Sequence, residues 1–210
     1  MLTLVLATTN EGKLAELRAL LVDLPIEVTS MAAILPETFS VAETGQTFEE
    51  NAVLKARAVC LATGLPALAD DSGLEVDGLG GRPGVRSRRF AHERATDAEN
   101  NAALLRELTE VETREARFRC VLALATPFSP HVQTVEGVCE GSILRAPRGS
   151  GGFGYDPLFV LPGSPERAMA ELSEDEKNAV SHRGRAVRAL RPLLIATLNE
   201  LLDQAERIAG

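Results

Sequence analysis

Cysteine is scarce in this 210-residue chain: Cys60, Cys120 and Cys139 are odd in number and far apart. They form no C-x-x-C pair, and no histidine is spaced to complete a zinc site, so a disulfide framework and a structural zinc are excluded. A reducing compartment, the cytoplasm, is the expectation. No apolar stretch approaches the ~18 residues that span a bilayer, and the start, MLTLVLATTN, has no basic n-region, so no membrane partner is expected. Basic residues are outnumbered, 22 Lys and Arg against 30 Asp and Glu. The resulting formal charge of −8 argues against a non-specific grip on nucleic acid. Internal repeats and low-complexity segments are absent. What remains, 45% hydrophobic and 25% charged residues, is ordinary globular composition, and the length suits one compact domain over residues 1–210, bilobal at most.

Leu2 to Ala7 reads as a buried strand closed by Thr8, Thr9 and Asn10. Leu14, Leu17 and Leu21 then fall at helical spacing from Gly12 until Pro25 ends the helix. This strand, loop and helix open many α/β folds. Thr47 to Glu50, Thr96 to Glu99 and Ser173 to Glu176 have the form of capping boxes and mark three helix starts; the first helix runs to about Ala62. Strands are predicted at Ala67 to Ala69, Arg117 to Ala125, Val132 to Val138, Ser142 to Leu144 and Leu158 to Leu161. Val187, Leu190, Leu194, Leu198, Leu201, Ala205 and Ile208 form the apolar stripe of a C-terminal helix in which Pro192 is a candidate kink.

Thr8-Thr9-Asn10-Glu11-Gly12-Lys13 joins strand to helix but fails the Walker pattern, with Ala7 and Leu14 at two defining positions. Hydroxyls, an amide and an ammonium around a helix N-terminus suit a phosphate; the alternative is a polar loop with a solvated lysine. Lys55 shares a helical stripe with Phe48, Ala52, Val59 and Ala62. It either snorkels or reaches into a polar cleft to meet an anion. Asp70-Asp71-Ser72-Gly73 follows a strand, where open sheets place their ligands. Its carboxylates suit Mg²⁺ and the orienting of a water, with Glu43 and Glu75 as further acids; an ordinary Asp-Ser-Gly turn is the alternative.

Gly149 to Gly154 matches G-x-G-x-x-G, but Tyr155-Asp156-Pro157 reads on into a strand with an early proline, so a dinucleotide fingerprint is rejected. Phe153, Gly154 and Tyr155 can instead bring backbone and a ring against a flat ligand. Lys177, His182 and Arg183 are all donors, suited to phosphate or base oxygens or else to an exposed helix end. Five arginines from Arg82 to Arg94 read as a solvated loop or an interaction patch.

Together, ATTNEGKLAEL, ETGQTFEENAVLKA, ADDSGLEVDGLGGRPG, GGFGYDPLF and EKNAVSHRG resemble, in order and spacing, the inosine triphosphate pyrophosphatase family, which hydrolyses non-canonical purine triphosphates. The resemblance covers nearly the whole chain. It implies a long mixed sheet flanked by helices, with two lobes around a nucleotide cleft, a homodimer, and hydrolysis of a purine NTP to NMP and pyrophosphate with Mg²⁺. By resemblance, Thr8, Thr9, Asn10, Glu11, Gly12 and Lys13 bind the triphosphate, Lys55 contacts phosphate, and Asp71 is the proton acceptor and Mg²⁺ ligand. Ser72 contacts substrate, and Phe153, Gly154, Tyr155, Asp156, Lys177, His182 and Arg183 hold base and sugar. Many relatives carry an acid where Ala42 stands, so Glu43 ranks below Asp71 as a metal ligand. Arg86 and Arg88 replace residues that are often aromatic or small.

Overall fold

A computed structural model describes residues 2–209, with side chains described through residue 204. The chain forms two compact units. The first comprises Met1–Asp71, Val121–Glu136 and Ala186–Gly210, the second Ser72–Cys120 and Gly137–Arg185.

The strands are β1 (Leu2–Leu6), β2 (Ile26–Ser30), β3 (Ala67–Val76), β4 (Glu115–Ala125), β5 (Gln133–Ile143), β6 (Phe159–Leu161) and β7 (Ser164–Ala168). They form a seven-stranded sheet in the order β2-β1-β3-β4-β5-β6-β7. It is mixed: β1 runs parallel to β2 and β3, whereas β6 is antiparallel to β5 and β7. The helices are α1 (Glu11–Leu21), α2 (Met31–Ile34), α3 (Phe48–Thr63), α4 (Asp97–Glu107), α5 (Glu174–Val180) and α6 (His182–Ala209). Among the described residues no helix is long and apolar enough to cross a membrane.

The three predicted helix starts are real capping boxes: Thr47, Thr96 and Ser173 each accept from the amide three residues on, and Glu50, Glu99 and Glu176 reach back. Each such cap is worth about 1 kcal/mol, enough to set where a helix begins. Leu14, Leu17 and Leu21 are buried on α1 as their spacing required. Leu190, Leu194, Leu198 and Leu201 are buried on α6, which continues through Pro192 as one helix; the side chains of Ala205 and Ile208 lie outside the described residues.

Three expectations are corrected. Asp70-Asp71-Ser72-Gly73 is not a turn: β3 runs through it to Val76, past its pairing with β1 at Ala67 and Leu68, as a strand whose other neighbour in the sheet is β4. The segments predicted at Val132 to Val138 and Ser142 to Leu144 belong to one strand, β5 (Gln133–Ile143), in which Gly141 lies so close to the Phe159 ring and Val160 carbonyl that a Cβ there would clash. Finally, Asp156–Leu158 is a 3₁₀ turn, and the strand begins only at Phe159. The short strands β2 and β7 carried no usable pattern.

The second unit's core joins Leu74, Val76, Leu104, Leu108, Phe118, Ile143, Leu158 and Phe159. The Phe118 and Phe159 rings are 4.6 Å apart and tilted, a favourable aromatic geometry.

Candidate active site

In the first unit the polar loop after β1 is internally ordered. Thr8 Oγ1 accepts from the Asn10 amide at 3.2 Å, and Asn10 Oδ1 caps α1 by accepting from the Lys13 amide at 3.0 Å. Thr9 and Glu11 are exposed, while Gly12 is half-buried in the first turn. The Lys13 ammonium folds over to Asp70 Oδ1 at 2.5 Å. Asp70 is 1% exposed, a charge that only a partner makes tolerable.

Lys55 does not snorkel. From α3 its Nζ donates to Asp71 Oδ1 at 2.6 Å and to the Asp70 carbonyl at 2.7 Å, and Glu43 Oε1 lies 3.2 Å away. Two lysines thus meet two consecutive carboxylates. Burial pushes the Asp71 carboxyl above its ordinary range, against the pull of the Lys55 and Lys13 charges. Burial also opposes charge on Lys55, yet Asp71, Glu43 and Asp70 more than offset it and raise its pKa. Among the described residues no three His, Cys, Asp or Glu side chains group as a metal cluster. Glu75, in the second unit, pairs with Arg119 at 3.3 Å and lies 4.0 Å from Arg117.

In the second unit, Lys177, His182 and Arg183 do not sit at an exposed helix end; they are 6%, 6% and 1% exposed. Lys177 pairs with Asp156 Oδ2, whose carboxylate also accepts from the Phe153 amide at 2.9 Å. The Phe153 ring lies 4.7 Å from the Lys177 ammonium and 5.6 Å from the Arg183 guanidinium, within cation–π range. Arg183 also donates to Ser72 Oγ, and the His182 ring stacks on Phe118 at 4.8 Å. Gly184 allows this packing, since a Cβ there would collide with the Asn178 carbonyl.

The loop residues divide by role. Phe153 and Gly154 are half-buried, whereas Tyr155 and Asp156 are buried and bonded to the protein itself. Tyr155 donates from its hydroxyl to the Ser87 carbonyl at 2.8 Å, and burial pushes its pKa up. Sequence reasoning missed Ser87, Asp97 and Asn101. The last two hold Gly154, and their only signal was a polar pair four residues apart behind a capping box. Arg86 and Arg88 are exposed, and Arg86 pairs with Glu93 at 2.9 Å; the stretch read as a solvated loop is in part a 3₁₀ helix, Gly84–Arg89, with Ser87 buried.

Fold and site define an α/β protein with a lysine–carboxylate centre in one unit and a donor-rich aromatic loop in the other. The Ham1 family model matches residues 4–193, and the chain belongs to that family. It is 53% identical to a dITP/XTP pyrophosphatase of Geobacillus kaustophilus, covering 99% of this chain and 96% of the relative. It is 54% identical to one of Nitratidesulfovibrio vulgaris, over 90% and 93% of the two chains. The solved structure of a HAM1 protein from Coxiella burnetii superposes with a TM-score of 0.83 at 47% identity, covering 93% of this chain and all of that one. The resemblance drawn from five sequence motifs is borne out.

Proposed function

We propose that this chain is a pyrophosphatase for non-canonical purine nucleoside triphosphates, the dITP and XTP class its relatives are named for. The observation that carries the reading is the pairing of Lys55 with Asp71 beside that of Lys13 with Asp70. Cations and carboxylates held together are what cleavage between the α and β phosphates requires.

In this reading a water oxygen attacks the α-phosphorus, the α–β phosphoanhydride bond breaks, and Asp71 takes the water's proton through a carboxylate oxygen. Lys13 and Lys55 neutralise charge on the departing pyrophosphate, with Thr8 to Lys13 around the phosphates. The donor set fits Mg²⁺: Asp71 and Glu43 offer hard oxygens, and a carboxylate whose pKa burial has raised gains from added positive charge. Bound there by Asp71, with Glu43 second, Mg²⁺ supplies charge neutralisation at the phosphates. Base and sugar fall to Phe153, Gly154, Lys177, His182, Arg183 and Ser72, with Tyr155 and Asp156 supporting the loop. Donors from His182 and Arg183 match the 6-oxo acceptor of hypoxanthine and xanthine. The amino group of adenine leaves such donors unpaired, a mismatch worth up to ~10⁴ in discrimination at a buried site. The resemblance further supports one functional domain over residues 1–210, a homodimer and a cytoplasmic location.

The deciding experiment incubates the protein with dITP, XTP, ATP and GTP plus Mg²⁺ and identifies the products. Pyrophosphate from dITP and XTP, with little turnover of ATP and GTP, is expected. Orthophosphate released from all four would refute the reading.

A further inference from the structure

Gly154 is held at both of its backbone polar groups by one helix. Asp97 Oδ2 accepts from the Gly154 amide at 2.7 Å, and Asn101 Nδ2 donates to the Gly154 carbonyl at 3.0 Å. The two side chains are four residues apart on α4, so they stand one above the other on a single face. The preceding amide, that of Phe153, is held by Asp156. Gly154 itself adopts φ +62°, a left-handed conformation open to glycine and rarely to other residues. The same helix also secures the arginine-bearing loop, where Asn100 donates to the Arg88 carbonyl and accepts from the Ala91 amide, both at 2.9 Å.

Asp97 and Asn101 bond to the backbone of Gly154, the residue next to Phe153. Their effect passes through the backbone that carries the Phe153 ring over the Lys177 and Arg183 cations. We infer that Asp97 and Asn101 are positioning residues: by clamping Gly154 from both sides they fix the Phe153 ring and thereby set how tightly the base end of the substrate is bound. The inference rests on the proposed function for the identity of that base. A ring displaced by 1 Å weakens stacking without touching the lysine–carboxylate centre, so binding of nucleotide and binding of phosphate should separate.

The test compares wild type with D97A, N101A, the double variant, and D97N, which retains an acceptor oxygen. With dITP, KM rises about five- to tenfold in each alanine variant, the scale of one lost hydrogen bond, and further in the pair, while kcat stays within about twofold. D97N recovers most of the loss. Inhibition by pyrophosphate, which lacks a base, is unchanged. A second readout is intrinsic: the chain has one tyrosine and no tryptophan, so tyrosine emission reports Tyr155 and this loop alone. Acrylamide quenching of that emission increases in the double variant. Unchanged KM and unchanged quenching in the double variant overturn the inference. So does pyrophosphate inhibition that weakens in step with KM, since that marks general damage. A wild type that releases no pyrophosphate from dITP fails the proposed activity instead, and quenching alone then decides whether Asp97 and Asn101 hold the loop.

Discussion

Arg183 donates from Nη2 to Ser72 Oγ at 2.9 Å, joining residues 111 positions apart in the sequence. Arg183 is 1% exposed, and a guanidinium keeps its charge at any accessible pH, so each bond to it replaces water it cannot recover. Ser72→Ala removes the acceptor and is expected to cost about 1–3 kcal/mol, read as a lower urea midpoint. An unchanged midpoint would show that this bond contributes nothing to stability.

Asp71→Asn tests the chemistry rather than the fold. The amide is nearly isosteric and still offers an oxygen to Lys55, but it neither takes a proton nor carries charge. Turnover of dITP should fall about 10²–10⁴-fold with the far-ultraviolet circular dichroism spectrum retained. Near-normal kcat would remove Asp71 from its assigned role.

The Lys177–Asp156 pair should be expensive to break and cheap to replace. Its side chains are 7% and 4% exposed, so Lys177→Met leaves a buried carboxylate supported by the Phe153 amide and costs about 3–5 kcal/mol. Adding Asp156→Leu should restore much of that loss. Chemical denaturation of the four-member mutant cycle measures the coupling, and strictly additive losses would contradict a mutually dependent pair.

Alkaline stability should depend on Cys139. Burial pushes its thiol from 9.0 up to about 11, so the folded protein holds the proton after the unfolded chain has released it. No penalty exists below pH 9; stability then falls as pH rises from 9 and levels off above about 11. Cys139→Ala should flatten that segment of the pH–stability curve. A variant with the wild-type slope would assign the alkaline loss to another group.

Local signals carried much of this structure. Capping boxes located α3, α4 and α5 because their bonds close within four residues, and leucine spacing located α1 and α6 because helical periodicity is set by the backbone. The failures occur where distant groups decide. Asp70 to Gly73 has the composition of a turn, yet with Lys13 and Lys55 as partners two carboxylates are buried inside a strand. Similarly, Lys177 and Arg183 have the composition of a solvated helix end, yet both are buried, with Asp156 and Ser72 as partners brought from elsewhere in the chain.

The linear sequence therefore determined which residues are available: the capped helices, the apolar stripes, and the lysines, aspartates and glycines standing in family order. Tertiary structure alone decided their pairing, because an ion pair or a backbone clamp depends on distance in space. Lys55 and Asp71 are 16 positions apart, Arg183 and Ser72 111, and Asn101 and Gly154 53. No pattern along the chain encodes those separations; the packing of sheet and helices closes them.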